Sequence, residues 1–254
     1  MRNKSIVQIY EIQSAPEAVK MIELGVDHIG SVLVDKNRWK NDAIRKTIRV
    51  VQDAGRKSSL IPLFNHPETV LEALDFHQPD IVHFCESLCN GHMVSRTCER
   101  LFQLQQTVKN HFPRISIMRS IPIAPPNLAD RVPTLILARQ FEPFSDYFLT
   151  DTMLISTAAS TPEVQPVTGF IGITGQTCDW TMARRLVEAS RIPVILAGGI
   201  DPHNAAEGML QVRPAGLDSC TGTNACDSNG VTIRFKKDPE KVRRLVEIVR
   251  EAGK

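Results

Sequence analysis

Eight apolar, β-type runs alternate with eight amphipathic helical segments along the 254 residues of this chain, and no other feature limits its possible folds so strongly. The strands are expected at Ser5–Tyr10, His28–Val34, Ser59–Phe64, Asp80–Phe84, Ile115–Ile121, Tyr147–Thr150, Val194–Ala197 and Ala215–Cys220. The helices are expected at Ala15–Leu24, Asn41–Ala54, Pro67–Phe76, Met93–Phe112, Leu128–Phe141, Asp179–Ser190, Pro202–Val212 and Asp238–Ala252. Local signals punctuate them: Ser14 and Asp179 as N-caps, Pro67 in a first turn, Gly25 and Gly55 as stops, and Pro113 as a breaker. Eight strand–helix units match a closed (β/α)8 TIM barrel, with residues 1–254 as a single domain. The rival is a doubly wound open sheet, whose phosphate-binding glycines usually follow the first strand. Here the first strand exits through Tyr10-Glu11-Ile12-Gln13, without glycine.

The glycines follow the last two strands instead. Ile192–Ala197 ends in Gly198-Gly199, and Ala215–Cys220 ends in Thr221-Gly222. Glycine lets a backbone approach a ligand and present bare N–H groups to an anion. In (β/α)8 barrels the loops after the seventh and eighth strands commonly hold a phosphate. The expected partner is therefore a phosphorylated small molecule. The net charge of +2 gives no general attraction to nucleic acid or to a membrane surface, and neither is expected as a partner. No run is apolar enough to span a bilayer, and no secretory leader is read at the start, so a cytoplasmic location with six free thiols is expected. Periodicity picks out no face for self-association.

Side chains just past the strand ends form the expected site: Tyr10 and Glu11, Arg38, Asn65 and His66, Cys85 and Glu86, Arg119, and Asp151. Arginines can hold anions and carboxylates can move protons. The long Ser-, Thr-, Gly- and Pro-rich stretch 152–177 is expected to be a lid. His83, Cys85, Glu86, Cys89, His92 and Cys98 crowd one segment, but with no Cys-x-x-Cys pair, so no metal site is assigned. No cofactor is expected.

The residues of the last third carry a specific resemblance. Gly172-Ile173-Thr174-Gly175-Gln176-Thr177-Cys178-Asp179-Trp180, Leu196–Asn204, Gly216–Gly222 and Lys237–Lys241 are similar to successive motifs of the phosphoribosylanthranilate isomerase family. Weaker similarity runs through Gly25–Gly30, Leu63-Phe64-Asn65 and Asp80-Ile81-Val82. The resemblance implies an Amadori rearrangement of an aminoaldose phosphate to an aminoketose phosphate. It implies Asp151 as general acid and Arg38 as a contact to the anthranilate part. It places the phosphate on Gly198, Gly199, Thr221 and Gly222, with Gly175 nearby. The family's base is a cysteine in a Lys-Ile-Cys-Gly motif, where this chain has Gln8-Ile9-Tyr10-Glu11. Tyr10 thus stands at the base position, with Glu11 beside it. Glu11, Glu86 or Cys85 remain open as the base of a related reaction. An epimerase or lyase acting on another phosphosugar is one alternative, and a non-catalytic phosphate-ligand binder is another.

Overall fold

The computed structural model describes residues 4–155 and 165–253. Eight parallel strands close into a barrel: β1 (Ile6–Ile9), β2 (His28–Leu33), β3 (Lys57–Pro62), β4 (Ile81–Phe84), β7 (Ser116–Ile123), β8 (Tyr147–Thr152), β9 (Val194–Leu196) and β10 (Gly216–Ser219). β1 closes the ring by pairing with β2 on one side and β10 on the other. Eight helices alternate with them: α1 (Ala15–Glu23), α2 (Asp42–Asp53), α3 (Pro67–His77), α4 (Cys98–His111), α5 (Thr134–Phe141), α6 (Trp180–Ala189), α7 (Ala205–Val212) and α8 (Pro239–Ala252). This is the (β/α)8 architecture expected from the alternation. Among the described residues no helix is long and apolar enough to cross a membrane.

Each helix buries one stripe against the outside of the barrel. In α2, Ile44, Thr47, Ile48 and Val51 are buried at helical spacing, and Asn41 caps the first turn by accepting from the N–H groups of Ala43 and Ile44. In α8, Val242, Leu245, Val246 and Val249 are buried, and Asp238 accepts from Glu240 and Lys241. The barrel interior is different. Apolar Ile81, Met118, Leu149 and Ile195 form one group, and Tyr10, Val32, Ile61 and Cys85 form another. Buried polar Gln8, Ser59, His83, Ser120 and Asp218 also belong to barrel strands or their pairing partners. Each makes a hydrogen bond, as burial in a low-dielectric interior requires.

Two short antiparallel ribbons interrupt the expected pattern. The segment Met93–Phe112, expected as one helix, becomes helical only at Cys98. Gly91, at φ 55°, opens a two-residue turn that pairs β5 (Cys89–Asn90) with β6 (Met93–Val94). A second ribbon, β11 (Asn224–Cys226) with β12 (Thr232–Lys237), follows β10 before α8. It had no strand expectation at all. The fifth and seventh helices also start later than expected, at Thr134 and Ala205, because Pro133 and the Asp201–Asn204 turn precede them.

Candidate active site

A cavity with about 80 Å³ of internal space, opening to solvent, lies at the C-terminal ends of the strands. It is lined by Tyr10, Glu11, Cys85, Asp151, Gly175, Gly198, Gly199, Thr221 and Gly222, whereas Asn65, His66, Glu86 and Arg119, also expected at the strand ends, do not line it. Arg38 does not either. It stands exposed in the turn after β2 and does not line the cavity.

Three backbone segments meet at one side of the cavity. Gly199 has φ 61°, and a Cβ there would fall 2.6 Å from the backbone of Gln176 and Thr177, so only glycine lets these chains touch. Thr152 Oγ1 donates to the Gln176 carbonyl (2.7 Å), Ser219 Oγ to the Ile200 carbonyl (2.7 Å), and Asn204 Nδ2 to the Gly199 carbonyl (2.8 Å). These bonds fix the strand-exit turns against one another. No lysine or arginine lines the cavity among the described residues, so an anion bound at the turns would rely on backbone N–H groups.

Asp151 lies on β8. Its Oδ1 accepts from the Thr152 N–H (3.0 Å), and Gly172 of the following loop packs so closely that a Cβ would reach 2.3 Å from Oδ2. That loop is stitched over the mouth where Ile171 N donates to the Cys85 carbonyl (2.9 Å). Burial raises the Asp151 carboxyl to about 7, opposed by the Thr152 N–H. Near neutrality it therefore exchanges between its protonated and ionised forms. The lid expectation covers 152–177; residues 156–164 lie outside the described residues.

Tyr10 points into the barrel with its hydroxyl pinned. It shares hydrogen bonds with Ser59 Oγ (2.6 Å) and His83 Nδ1 (2.8 Å), and His83 Nε2 continues to Ser120 Oγ (2.8 Å). The ring fills space left by Gly30, where a Cβ would fall 2.1 Å away. Burial pushes the Tyr10 hydroxyl well above its ordinary range, and burial with the charge of Arg119 lowers His83 to about 3. Both groups stay neutral. Tyr10 occupies the expected base position but resists deprotonation there.

Glu11 sits at φ 65°, a left-handed conformation costing a non-glycine residue roughly 1–2 kcal/mol. An ion pair offsets this: Arg234 Nε of β12 donates to Glu11 Oε1 at 2.5 Å. The ribbon β11–β12 thus straps across the first strand's exit. Glu86 and Arg119 are turned away from the cavity. Side chains alternate along a strand, so Cys85 inward puts Glu86 outward, and Met118 and Ser120 inward put Arg119 outward. There they form a buried ion pair at 2.6 Å, with Arg119 also donating to Gln105 and lying between the rings of Phe84 and Phe141. Neither serves the cavity as a base or an anion contact. Burial raises the Cys85 thiol well above its ordinary range.

Sequence reasoning passed over Asp218. It lies in β10, is 6% exposed, and lines the same cavity. Gln8 Nε2 donates to its Oδ1 (3.1 Å), and Gln8 Oε1 is engaged by His28 Nδ1 (3.0 Å). The available signal was a carboxylate within a fully buried barrel strand, a position that needs a reason.

Fold and site define a class: a (β/α)8 barrel that gathers glycine turns and proton-exchanging carboxyls at the C-terminal ends of its strands, as barrel enzymes do. Residues 149–248 match the family model described as N-(5'-phosphoribosyl)anthranilate isomerase. The chain is 27% identical to N-(5'-phosphoribosyl)anthranilate isomerase 2 of Methanosarcina mazei, over 94% of this chain and 97% of that protein. It is 37% identical to the corresponding isomerase of Methanocella arvoryzae, over 44% of this chain and 43% of that one. The crystal structure of the Thermotoga maritima isomerase superposes with a TM-score of 0.68 at 20% identity, covering 97% of this chain and 99% of that chain. The chain is thus similar to phosphoribosylanthranilate isomerases along its length, and the family model matches within its C-terminal part.

Proposed function

We propose that this protein is an isomerase that converts N-(5'-phosphoribosyl)anthranilate, an aminoaldose phosphate, into the corresponding aminoketose phosphate. The observation that carries this reading is the presence of Asp151 and the turns at Gly198-Gly199 and Thr221-Gly222 around one cavity. The phosphate rests on the turns, and the ribose lies toward Asp151. Asp151, in the protonated form that burial favours, donates to the ring oxygen and opens the sugar. Loss of the C2 proton and tautomerisation then complete an intramolecular oxidation and reduction: C1 is reduced and C2 is oxidised. Glu11 Oε2, buried and without a partner among the described residues, lines the same cavity and accepts from a sugar hydroxyl. Arg38 does not line this cavity.

The purified full-length chain tests this directly. Anthranilate fluorescence disappears as the substrate is converted, giving initial rates. Turnover is expected, with kcat reduced about 10²–10⁴-fold in Asp151→Asn. A wild-type protein that leaves the substrate unchanged, while inorganic phosphate still raises its melting temperature, would leave a phosphate binder and refute the isomerase.

A further inference from the structure

If Tyr10 keeps its proton, another group must take the one on C2. Glu11 is held by Arg234 through Oε1 and takes up a sugar hydroxyl through Oε2, His83 is closed between Tyr10 and Ser120, and Cys85 is buried among apolar neighbours. Cys220 also lines the cavity, and burial raises its thiol, so thiolate is scarce. One carboxylate remains. We propose that Asp218 is the catalytic base that removes the C2 proton, an assignment that rests on the isomerase reading above.

The geometry supplies what a base needs. Asp218 projects from β10 and Asp151 from β8, with only β9 and its Gly198-Gly199 turn between their strands. A ligand held at that turn lies between the two carboxyls. Asp218 is also aimed. His28 is buried and, mainly through that burial, lowered to about 4, so it is neutral in the working range. Its Nδ1–H then donates to Gln8 Oε1, which turns the amide so that Nε2–H faces Asp218 Oδ1. Oδ2 has no protein partner among the described residues and is left for the ligand. No cation forms an ion pair with Asp218 among the described residues, and Lys237 Nζ is spent on the Cys220 carbonyl (2.8 Å) and Asn224 Oδ1 (2.6 Å). Burial raises Asp218 to about 7; the Gln8 amide lowers it, the Asp151 charge raises it, and Lys237 lowers it. A carboxylate poised there is a far better base than one near 4.

The step balances. Asp151 gives its proton to the ring oxygen as the C1–O bond breaks, leaving a protonated imine at C1. Asp218 takes the C2 proton, the C2–H electron pair forms the C1=C2 bond, and the imine pair returns to nitrogen. Tautomerisation then adds one proton at C1 and removes one from the C2 hydroxyl. Asp218 returns its proton to C1, and the C2 hydroxyl proton restores Asp151.

The test uses the full chain with N-(5'-phosphoribosyl)anthranilate and its C2-deuterated form. Asp218→Asn is expected to lose kcat by about 10²–10⁴-fold. Wild type is expected to show low- and high-pH limbs in kcat/KM near 7, and the low-pH limb vanishes in Asp218→Asn, whereas Asp151→Asn loses the high-pH limb. Gln8→Met, which removes the amide donor without touching the carboxyl, moves the low-pH limb upward, and it serves if Asp218→Asn fails to fold. Asp218→Asn retaining kcat within threefold and its deuterium isotope effect, or a low-pH limb unmoved by Gln8→Met, overturns the assignment. A wild-type protein inert toward this substrate overturns the isomerase reading and this assignment with it; wild-type turnover with an indifferent Asp218→Asn overturns this assignment alone.

Discussion

Tyr10→Phe separates a structural role for the phenol from a catalytic one. The change keeps the ring against Gly30 and removes only the hydroxyl. That hydroxyl is the partner of Ser59 Oγ at 2.6 Å and His83 Nδ1 at 2.8 Å, both on buried residues. Leaving a buried donor or acceptor unpaired costs about 1–3 kcal/mol, so two such groups, partly relaxed, cost roughly 2–4 kcal/mol. For a chain of 254 residues the unfolding entropy is about 0.5 kcal/mol per degree, which converts this loss to a melting temperature lower by about 4–8 °C. Catalysis should respond differently. A hydroxyl held well above its ordinary range does not exchange the C2 proton, so kcat at a temperature far below the transition falls by less than about tenfold. Thermal melts followed by circular dichroism give the first quantity, and anthranilate fluorescence gives the second. A kcat loss beyond a hundredfold with an unchanged melting temperature would refute the reasoning and return the base to Tyr10.

Other perturbations probe separate parts of the structure. Gly30→Ala sets a methyl group into the Tyr10 ring and should cost about 1–3 kcal/mol, most of which disappears in a Tyr10→Cys background; a double-mutant cycle of chemical denaturation measures the coupling. Arg119→Met strands Glu86 in the layer between barrel and helices and should cost about 3–5 kcal/mol, while adding Glu86→Leu recovers most of it; equal stability of the single and double variants would contradict the ion-pair account. Stability should also depend on pH with a definite sign. Asp151 and Asp218, raised to about 7, stabilise the fold fully below about pH 4 and lose that contribution as pH rises through 7. His28 and His83, lowered to about 4 and about 3, act oppositely: their contribution is full above about 6.5 and is lost as pH falls toward those values. From about pH 4.5 to 6 these four groups cancel, and above 6.5 only the carboxyls act, so the melting temperature should decline from pH 6.5 to 8; the double variant Asp151→Asn, Asp218→Asn should abolish that decline.

The reach of the sequence differs between fold and site. All eight barrel strands lie within a residue or two of their expected positions, because a parallel strand buried on both faces reads as an unbroken apolar run. The ribbons escaped notice: β5–β6 spans only two residues a side, and β12 offers only Ile233 and Phe235 at its half-buried positions. At the site, nine expected residues meet in one cavity because strand-exit position is a local property once the strands are known. Arg38 misses it because its place in an exposed turn depends on how that loop folds away from the mouth.

The sequence by itself determined the alternation, hence the closed barrel, and it determined the glycine turns, since both are encoded in short-range pattern and in the backbone freedom of particular residues. Only the tertiary structure decided which ionisable groups are free to act. Tyr10, Glu11, Glu86, Arg119 and Asp218 are alike in a list of polar residues near strand ends. They differ because Tyr10 meets Ser59 and His83, Glu11 meets Arg234, and Glu86 meets Arg119, in each case across at least 33 residues of chain. Among the described residues Asp218 meets only the amide of Gln8, 210 residues away. Protonation depends on burial and on neighbours in space, and neighbours in space are what closure of the barrel supplies.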